Sequence, residues 1–496
     1  MELAADLEAR LRRFDDAASV EVRENGARVA TINTFRWEVK GALAKPVLRF
    51  SLDEYSATHS VVAIRSSSDD SLSLAIQRIG AGCPGRLDFV RKDYGSTPGE
   101  VERRDFCARF TRILAEQFPD EALEAPLSNA EDLEHSLSTS YARGVLRKGL
   151  ERWAVLAVPG SENSAAAASS NCLTSGLLWL SRARETFQKG SIAGLKLIVR
   201  KGGSEIAVRL AKALSSSIRL EVYEFDLRCE SIVKVDPTSF VNRDNWLVGC
   251  RNRESLIDQA VRELNPIIAL SPQAITVHPN VQCAEVVLRF RGLAFARWHD
   301  GLVFFGDTGA LRKKLTHASQ PDLHRLLHDL EIYRHPSATD MRHRLYRAQP
   351  ERWLEAIVRS DVTRIDACLD PRFVYTQLFA NSTTERSILD ILTVTTSGRL
   401  AIIELKATEH IHLPLQAADY WLRINEHLER GDFSHCGYFP RLELQKAPPL
   451  VYLVAPALRF HSTTAPIVGM LSSSMEVTCV GITEYWRRGI RVVMRQ

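Results

Sequence analysis

Asp390, Glu404 and Lys406 stand in the stretch "SILDILTVTTSGRLAIIELKATEHIHLPLQAADYW", residues 387–421, where two apolar runs flank a small polar turn. An ionised group among Ile, Leu and Val is costly unless it is paired or holds a metal. A three-residue loop Thr396-Ser397-Gly398, with Gly398 in the left-handed conformation, predicts a hairpin in which Asp390 lies opposite Glu404. Directly opposed side chains stand roughly 4.5–5.5 Å apart at Cβ, so two carboxylates there repel each other unless a cation lies between them. Lys406 shares their face, because strand side chains alternate with period two. A one-residue slip would send Asp390 to the other face.

Two carboxylates and an amine on one face suit metal-assisted phosphodiester hydrolysis. Oxygen ligands fit Mg²⁺, with Mn²⁺ as the alternative ion, held by one or two carboxylates plus substrate phosphate. Such an ion polarises the phosphate and lowers the pKa of a bound water. The Lys406 ammonium can position that water and offset charge building on the phosphate. The plain alternative is a Glu404–Lys406 ion pair on an exposed strand face. Against it, Ala401, Ile402, Ile403 and Leu405 predict a strand buried on both faces.

A helix is predicted through "LQAADYWLRINEHLE", with Pro414 suited to its first turn. Gln416 and Tyr420 are four apart and share one helical face. His410 and His412 lie between the strand and this helix, and a loop role is expected for both.

The hairpin and helix together resemble the PD-(D/E)xK nuclease superfamily, in particular its RecB-like branch with a QxxxY helix. The resemblance covers about residues 350–455. It takes "PERWLEAIVRSDVTRIDACL" as the first core helix and "FVYTQLF", "SILDILTVT" and "LAIIELKA" as a meander. "LQAADYW" is then the following helix and "LVYLVAP" the next strand. The likeness implies a restriction-endonuclease-like αβββαβ core with Asp390 and Glu404 as metal ligands and Lys406 as the catalytic lysine. It also implies a helix-borne glutamate, falling on Glu351 or Glu355, and a substrate-orienting role for Gln416 and Tyr420. Leu389 stands where the family carries the proline of its signature.

The elements that must position these groups divide the chain into several parts, giving a multidomain α/β and α+β fold class. Residues 1–130 read as a β-rich N-terminal module, closed by the amphipathic helix "EVERRDFCARFTRILAEQF". Residues 150–235 read as a βαβαβ unit, from "WAVLAV", "LKLIVRK" and "IRLEVYEFD" with helices between, which implies parallel strands. It contains neither GxGxxG nor GxxxxGK[ST], so a structural scaffold is expected. The polar loop "PGSENSAAAASSN" follows its first strand. Residues 236–340 read as a β-meander, with its last two strands joined through "HDG", and a connecting helix "PDLHRLLHDLEIYRH". His324 and His328 on that helix have a chelating spacing, but surface or packing roles are expected for them. Residues 345–496 form the nuclease-like domain.

The 496 residues, 45% hydrophobic and 25% charged, describe a globular chain with no apolar run long enough to span a membrane. The charged, amphipathic N-terminus points to a cytoplasmic protein. Nine scattered cysteines without a CxxC pair argue against a disulfide framework or a zinc ribbon. The net charge of +4 is too small to identify a partner, so a phosphate-binding surface must come from local clusters. One is "RHPSATDMRHRLYR", with Arg334, Arg342, Arg344 and Arg347. The other is "YWRRGIRVVMRQ", with Arg487, Arg488, Arg491 and Arg495 beside Tyr485 and Trp486. Solvated arginines are the competing reading of both. The expectation is a Mg²⁺-dependent nuclease, DNA favoured, in repair or in defence against foreign DNA, with a homodimer as one way to cut both strands. A nucleic-acid-binding protein with a non-catalytic nuclease fold and an RNA-directed nuclease are the alternatives.

Overall fold

The computed structural model describes residues 2–14, 19–24, 27–32, 36–40, 46–51, 56–67, 71–78, 84–92, 98–130, 132, 134–158, 168–187, 192–226, 229–237, 247–306, 313–376 and 389–496. It is a mixed α/β protein with several sheets, and it divides into two compact units. The first comprises Met1–Glu116 with Pro126–Asn129 and Pro159–Ala165, and the second holds the rest. None of its helices, among the described residues, is long and apolar enough to cross a membrane.

The first unit is built on a seven-stranded sheet whose described pairings are antiparallel. Alternating residues of its strands, among them Val20, Val22, Leu72, Leu74 and Ile76, enclose a core with Leu7 and Leu11 of the helix Glu2–Leu11. That alternation is what a half-buried antiparallel sheet requires.

In the second unit the predicted βαβαβ succession is present. Strands Glu151–Ala157, Ile192–Arg200 and Arg219–Asp226 run parallel, with helices Ala168–Thr186 and Glu205–Ala211 between them. Antiparallel strands Ala142–Lys148 and Ser231–Lys234 flank them. Residues 159–167 of the polar loop lie outside the described residues. The meander follows as a five-stranded sheet, Ile275–Asn280, Glu285–Phe290, Leu293–His299, Leu302–Phe305 and Lys313–Lys314. Two of its turns, Arg291-Gly292 and Asp300-Gly301, have positive φ at both residues, as two-residue hairpins favour. The sheet packs its Val286, Leu288 and Phe290 on a helix, Cys250–Ile268, that the sequence reading left unassigned.

The last part of the chain carries α1 (Pro350–Ser360), β1 (Ile391–Val394), β2 (Leu400–Leu405), α2 (Leu413–Arg430), β3 (Leu450–Pro456), β4 (Val477–Ile482) and β5 (Val492–Arg495). The sheet order is β1-β2-β3-β4-β5, with β2, β3 and β4 parallel and both edge pairs antiparallel. All six residues of β2 are buried. Leu400 and Ile402 join a core with α2, while Ala401, Ile403 and Leu405 join another with α1. The first of these cores continues into the helices of the βαβαβ unit through Leu173 and Leu177.

Two expected elements differ. The first core helix stops at Ser360, well short of "DACL", because the Asp361 carboxylate accepts from Thr363 N and starts a separate 3₁₀ turn. Of "FVYTQLF", the described residues supply a single bridge, Tyr375 to Leu392, and residues 377–388 lie outside the described residues.

Candidate active site

The hairpin sets the site. Ile391 pairs with Ile403 and Val394 with Leu400, so the next step of the register puts Asp390 opposite Glu404. Gly398 closes the turn at φ +91, and a Cβ there would lie 2.4 Å from Glu443 O, so glycine is required. Asp390 has left the ladder, and its Oδ2 accepts from Leu405 N at 3.0 Å, the donor that a longer β1 would have satisfied. The carboxylate is thereby held at the foot of the hairpin.

Glu404 is wholly buried. Its Oε1 accepts from Lys406 Nζ at 2.9 Å, so the predicted ion pair exists, but it is buried and not on an exposed face. Lys406 continues the parallel ladder beyond β2, its N donating to Val454 O. Burial raises the pKa of both Asp390 and Glu404. The Asp390 charge raises Glu404 further, Glu355 raises Asp390, and the Lys406 ammonium opposes both shifts. The pair therefore titrates as one unit. For Lys406, burial acts downward, but the Glu404 and Asp390 charges outweigh it and its pKa is raised.

Helix α1 brings a third carboxylate. Glu355 is buried among Trp353, Leu354 and Val358, and Arg352 Nη1 bonds its Oε2 while lying 3.6 Å from Asp390 Oδ1. Glu351, one turn earlier, accepts from Thr408 Oγ1 at 3.4 Å on the Lys406 side. The structure thus puts Glu355 beside Asp390, and Glu351 toward Lys406 and His410.

On α2, Gln416 Nε2 donates to Tyr420 Oη at 3.3 Å. Tyr420 is buried, and burial together with the nearby Glu404 charge holds its phenol well above its usual pKa. The two predicted helix residues therefore border the carboxylates. His410 and His412 pack edge to face 5.6 Å apart. Burial, then each neighbouring imidazole, depresses His412 to about 4.

Whether a divalent ion fits is answered by two atoms. Glu404 Oε2 and Glu355 Oε1 are buried with no hydrogen-bond partner among the described residues. Orphaned buried carboxylate oxygens are expensive, and a cation would satisfy them. Among the described residues no group of three or more His, Cys, Asp and Glu side chains converges as a metal cluster. Arg352 bridges Glu355 and Asp390, and Lys406 holds Glu404.

The basic clusters need correction. Arg334 is completely buried and cannot meet a phosphate backbone. Its guanidinium donates to the carbonyls of Arg291, Leu345, Ala348 and Gln349 and lies over the Trp353 ring, and burial lowers its pKa to about 9. Trp486 is buried too, and Arg487 stacks on it at 4.2 Å. Arg495 pairs with Asp366. Arg342, Arg344, Arg347, Arg488 and Arg491 are exposed, as is Tyr485. His324 and His328 are exposed on their helix.

Sequence reasoning missed a second basic group: Arg253, Arg289 and Arg359 gather around His278, beside Arg352. The arginines come from three separate elements and His278 from a fourth, so no run of basic residues marks them. The only local signal was the polar alternation of "ITVHPN" and "EVVLRF". No protein-family model matches the chain, and no curated protein matches it significantly.

Proposed function

We propose that the C-terminal part of the chain is a divalent-metal-dependent nuclease that hydrolyses phosphodiester bonds, most favourably those of DNA, in repair or in defence against foreign DNA. The observation that carries this reading is the opposition of Asp390 and Glu404 at one hairpin end, with an orphaned Glu404 oxygen and the Lys406 ammonium alongside. The succession α1, β1, β2, α2, β3 supports the likeness to the restriction-endonuclease-like core.

Asp390, Glu404 and Glu355 would hold Mg²⁺ or Mn²⁺. When bound, the ion supplies charge for the phosphate oxygens and a more acidic water. Lys406 stands ready to orient a nucleophilic water and to offset charge on the phosphate. Gln416 donates to Tyr420 Oη, and burial holds the Tyr420 phenol protonated, so its hydroxyl keeps a proton to donate.

The test is incubation of purified protein with linear, circular, single-stranded and branched DNA, with Mg²⁺ or EDTA. Cleavage should require the metal and fall by about a hundredfold or more in Glu404→Gln and Lys406→Met. Metal-dependent cleavage that persists in the double variant sinks the reading. RNA competition separates an RNA-directed enzyme. A second reading, a nucleic-acid-binding protein without turnover, draws on the Arg352 bridge where a metal ligand set would form. It requires that the same variants bind like wild type and that metal change nothing.

A further inference from the structure

The polar face of the meander lies against α1, and the backbone shows what holds it there. Gly292, at φ +83, presses its hairpin turn onto α1: a Cβ there would stand 2.0 Å from Arg352 O. On the strands behind that turn Thr276 pairs with Arg289 and His278 with Val287, so Thr276, His278 and Arg289 share a face. The opposite face carries Val286, Leu288 and Phe290 into the core. Helix α1 adds Arg352 and Arg359, seven residues apart on one side. Helix Cys250–Ile268 adds Arg253, whose Nη1 donates to Thr376 O at 2.9 Å.

His278 sits at the centre and is nearly wholly buried. Its Nε2 lies 3.4 Å from Arg359 Nη1 and 2.9 Å from Thr276 Oγ1. A guanidinium only donates, so this nitrogen is the acceptor and the ring is neutral. Burial, reinforced by the charges of Arg289, Arg359, Arg352 and Arg253, keeps it so. Glu355 is the one carboxylate whose charge bears on Arg289, Arg352 and Arg359 alike, and Arg352 already bonds it. The Arg289 guanidinium makes no hydrogen bond or ion pair among the described residues, while its carbonyl accepts from Thr276 Oγ1. Several guanidinium groups converging in a half-buried recess repel one another unless an anion joins them, and phosphate is the anion their planar forks suit.

We propose that Arg253, Arg289 and Arg359, arranged around His278, form an anion site for a phosphate of the nucleic acid that neighbours the one at the carboxylates. The site rests on the nuclease reading for the identity of its ligand, while its anion affinity stands on its own geometry. The phosphate is either a terminal monoester or an internal diester of the strand.

The full chain in EDTA separates these questions from turnover. Inorganic phosphate should raise the melting temperature of the wild-type protein. Oligonucleotides with and without a 5′-phosphate, followed by fluorescence anisotropy over a salt series, should bind about tenfold more weakly to Arg289→Gln and Arg359→Gln. The slope of log affinity against log salt should fall by about one unit for each. Arg289→Lys, which keeps the charge but not the planar fork, should hold the salt slope near that of wild type. A wild-type preference for the 5′-phosphate that the glutamine variants lose identifies a terminal phosphate; equal weakening on both oligonucleotides identifies an internal one. Folded glutamine variants with unchanged affinity and slope overturn the site, as does an Arg289→Lys salt slope as low as that of Arg289→Gln. If the glutamine variants do not fold, the wild-type phosphate titration decides, and no thermal shift overturns the site. Phosphate-dependent binding without metal-dependent cleavage would remove the enzyme reading and leave this one standing.

Discussion

Arg352 Nη1 bonds Glu355 one turn further along the same helix and lies 3.6 Å from Asp390 Oδ1 on the neighbouring hairpin. One guanidinium thus does between two buried carboxylates what a divalent ion would do. Arg352→Met leaves both carboxylates without that cation. In EDTA the variant should lose about 3 kcal/mol of stability by chemical denaturation, the usual cost of breaking a buried pair. Millimolar Mg²⁺ should restore part of the loss, because metal that binds only the folded state stabilises it. No recovery with Mg²⁺ would show that the carboxylates take no metal.

Glu404 and Asp390 also govern the dependence on pH. An acid whose folded pKa exceeds its unfolded value holds its proton more tightly in the folded protein. The folded state is then favoured below the ordinary carboxylate range and loses that advantage as pH rises through the raised folded values. In EDTA the folding stability should therefore fall between about pH 5 and about pH 8, by about 1.4 kcal/mol for each unit of pKa elevation, and the melting temperature should fall with it. Glu404→Gln removes the buried charge, so its curve should be flatter across this window, whatever the variant loses from leaving Lys406 without its partner. A wild-type curve that rises across this window would contradict the assigned shifts.

Gly292 and Gly301 occupy the same position in two turns of one sheet, which makes them a matched pair. An alanine at Gly301, φ +70, meets nothing within 4 Å, so Gly301→Ala carries only the left-handed backbone cost of about 1–2 kcal/mol. At Gly292 the new Cβ would also strike Arg352 O, and Gly292→Ala should cost at least about 2 kcal/mol more. Urea titrations of the two variants measure the difference. Equal destabilisation would mean that the turn does not bear on α1.

Tyr420→Phe removes a hydroxyl from beside Glu404 without changing the ring's packing. A loss of about 1 kcal/mol is expected from the missing bond to Gln416. If the hydroxyl orients substrate, the cleavage rate under saturating DNA should fall by more than that stability loss explains, while melting stays near wild type. A rate equal to wild type would assign the Gln416–Tyr420 pair to packing alone.

What the sequence alone determined lies within short stretches of chain. Turn chemistry at Gly398 and period-two alternation settle the register that sets Asp390 opposite Glu404, and helical spacing sets Gln416 beside Tyr420. The parallel strands of the βαβαβ unit were legible for the same reason, because each connection is local. Tertiary structure decided everything that depends on distant elements meeting. Arg334 read as part of a candidate phosphate-binding run, yet the Arg291 turn and the backbone leading into α1 close over it and supply its carbonyl partners. Glu351 and Glu355 share a helical face, and only the packing of α1 against β1 sets Glu355 next to Asp390. Arg253, His278, Arg289 and Arg359 are separated by up to a hundred or so residues, and no periodicity links them. Their grouping follows from a glycine turn pressed against a helix, a contact made by shape that local propensity does not encode.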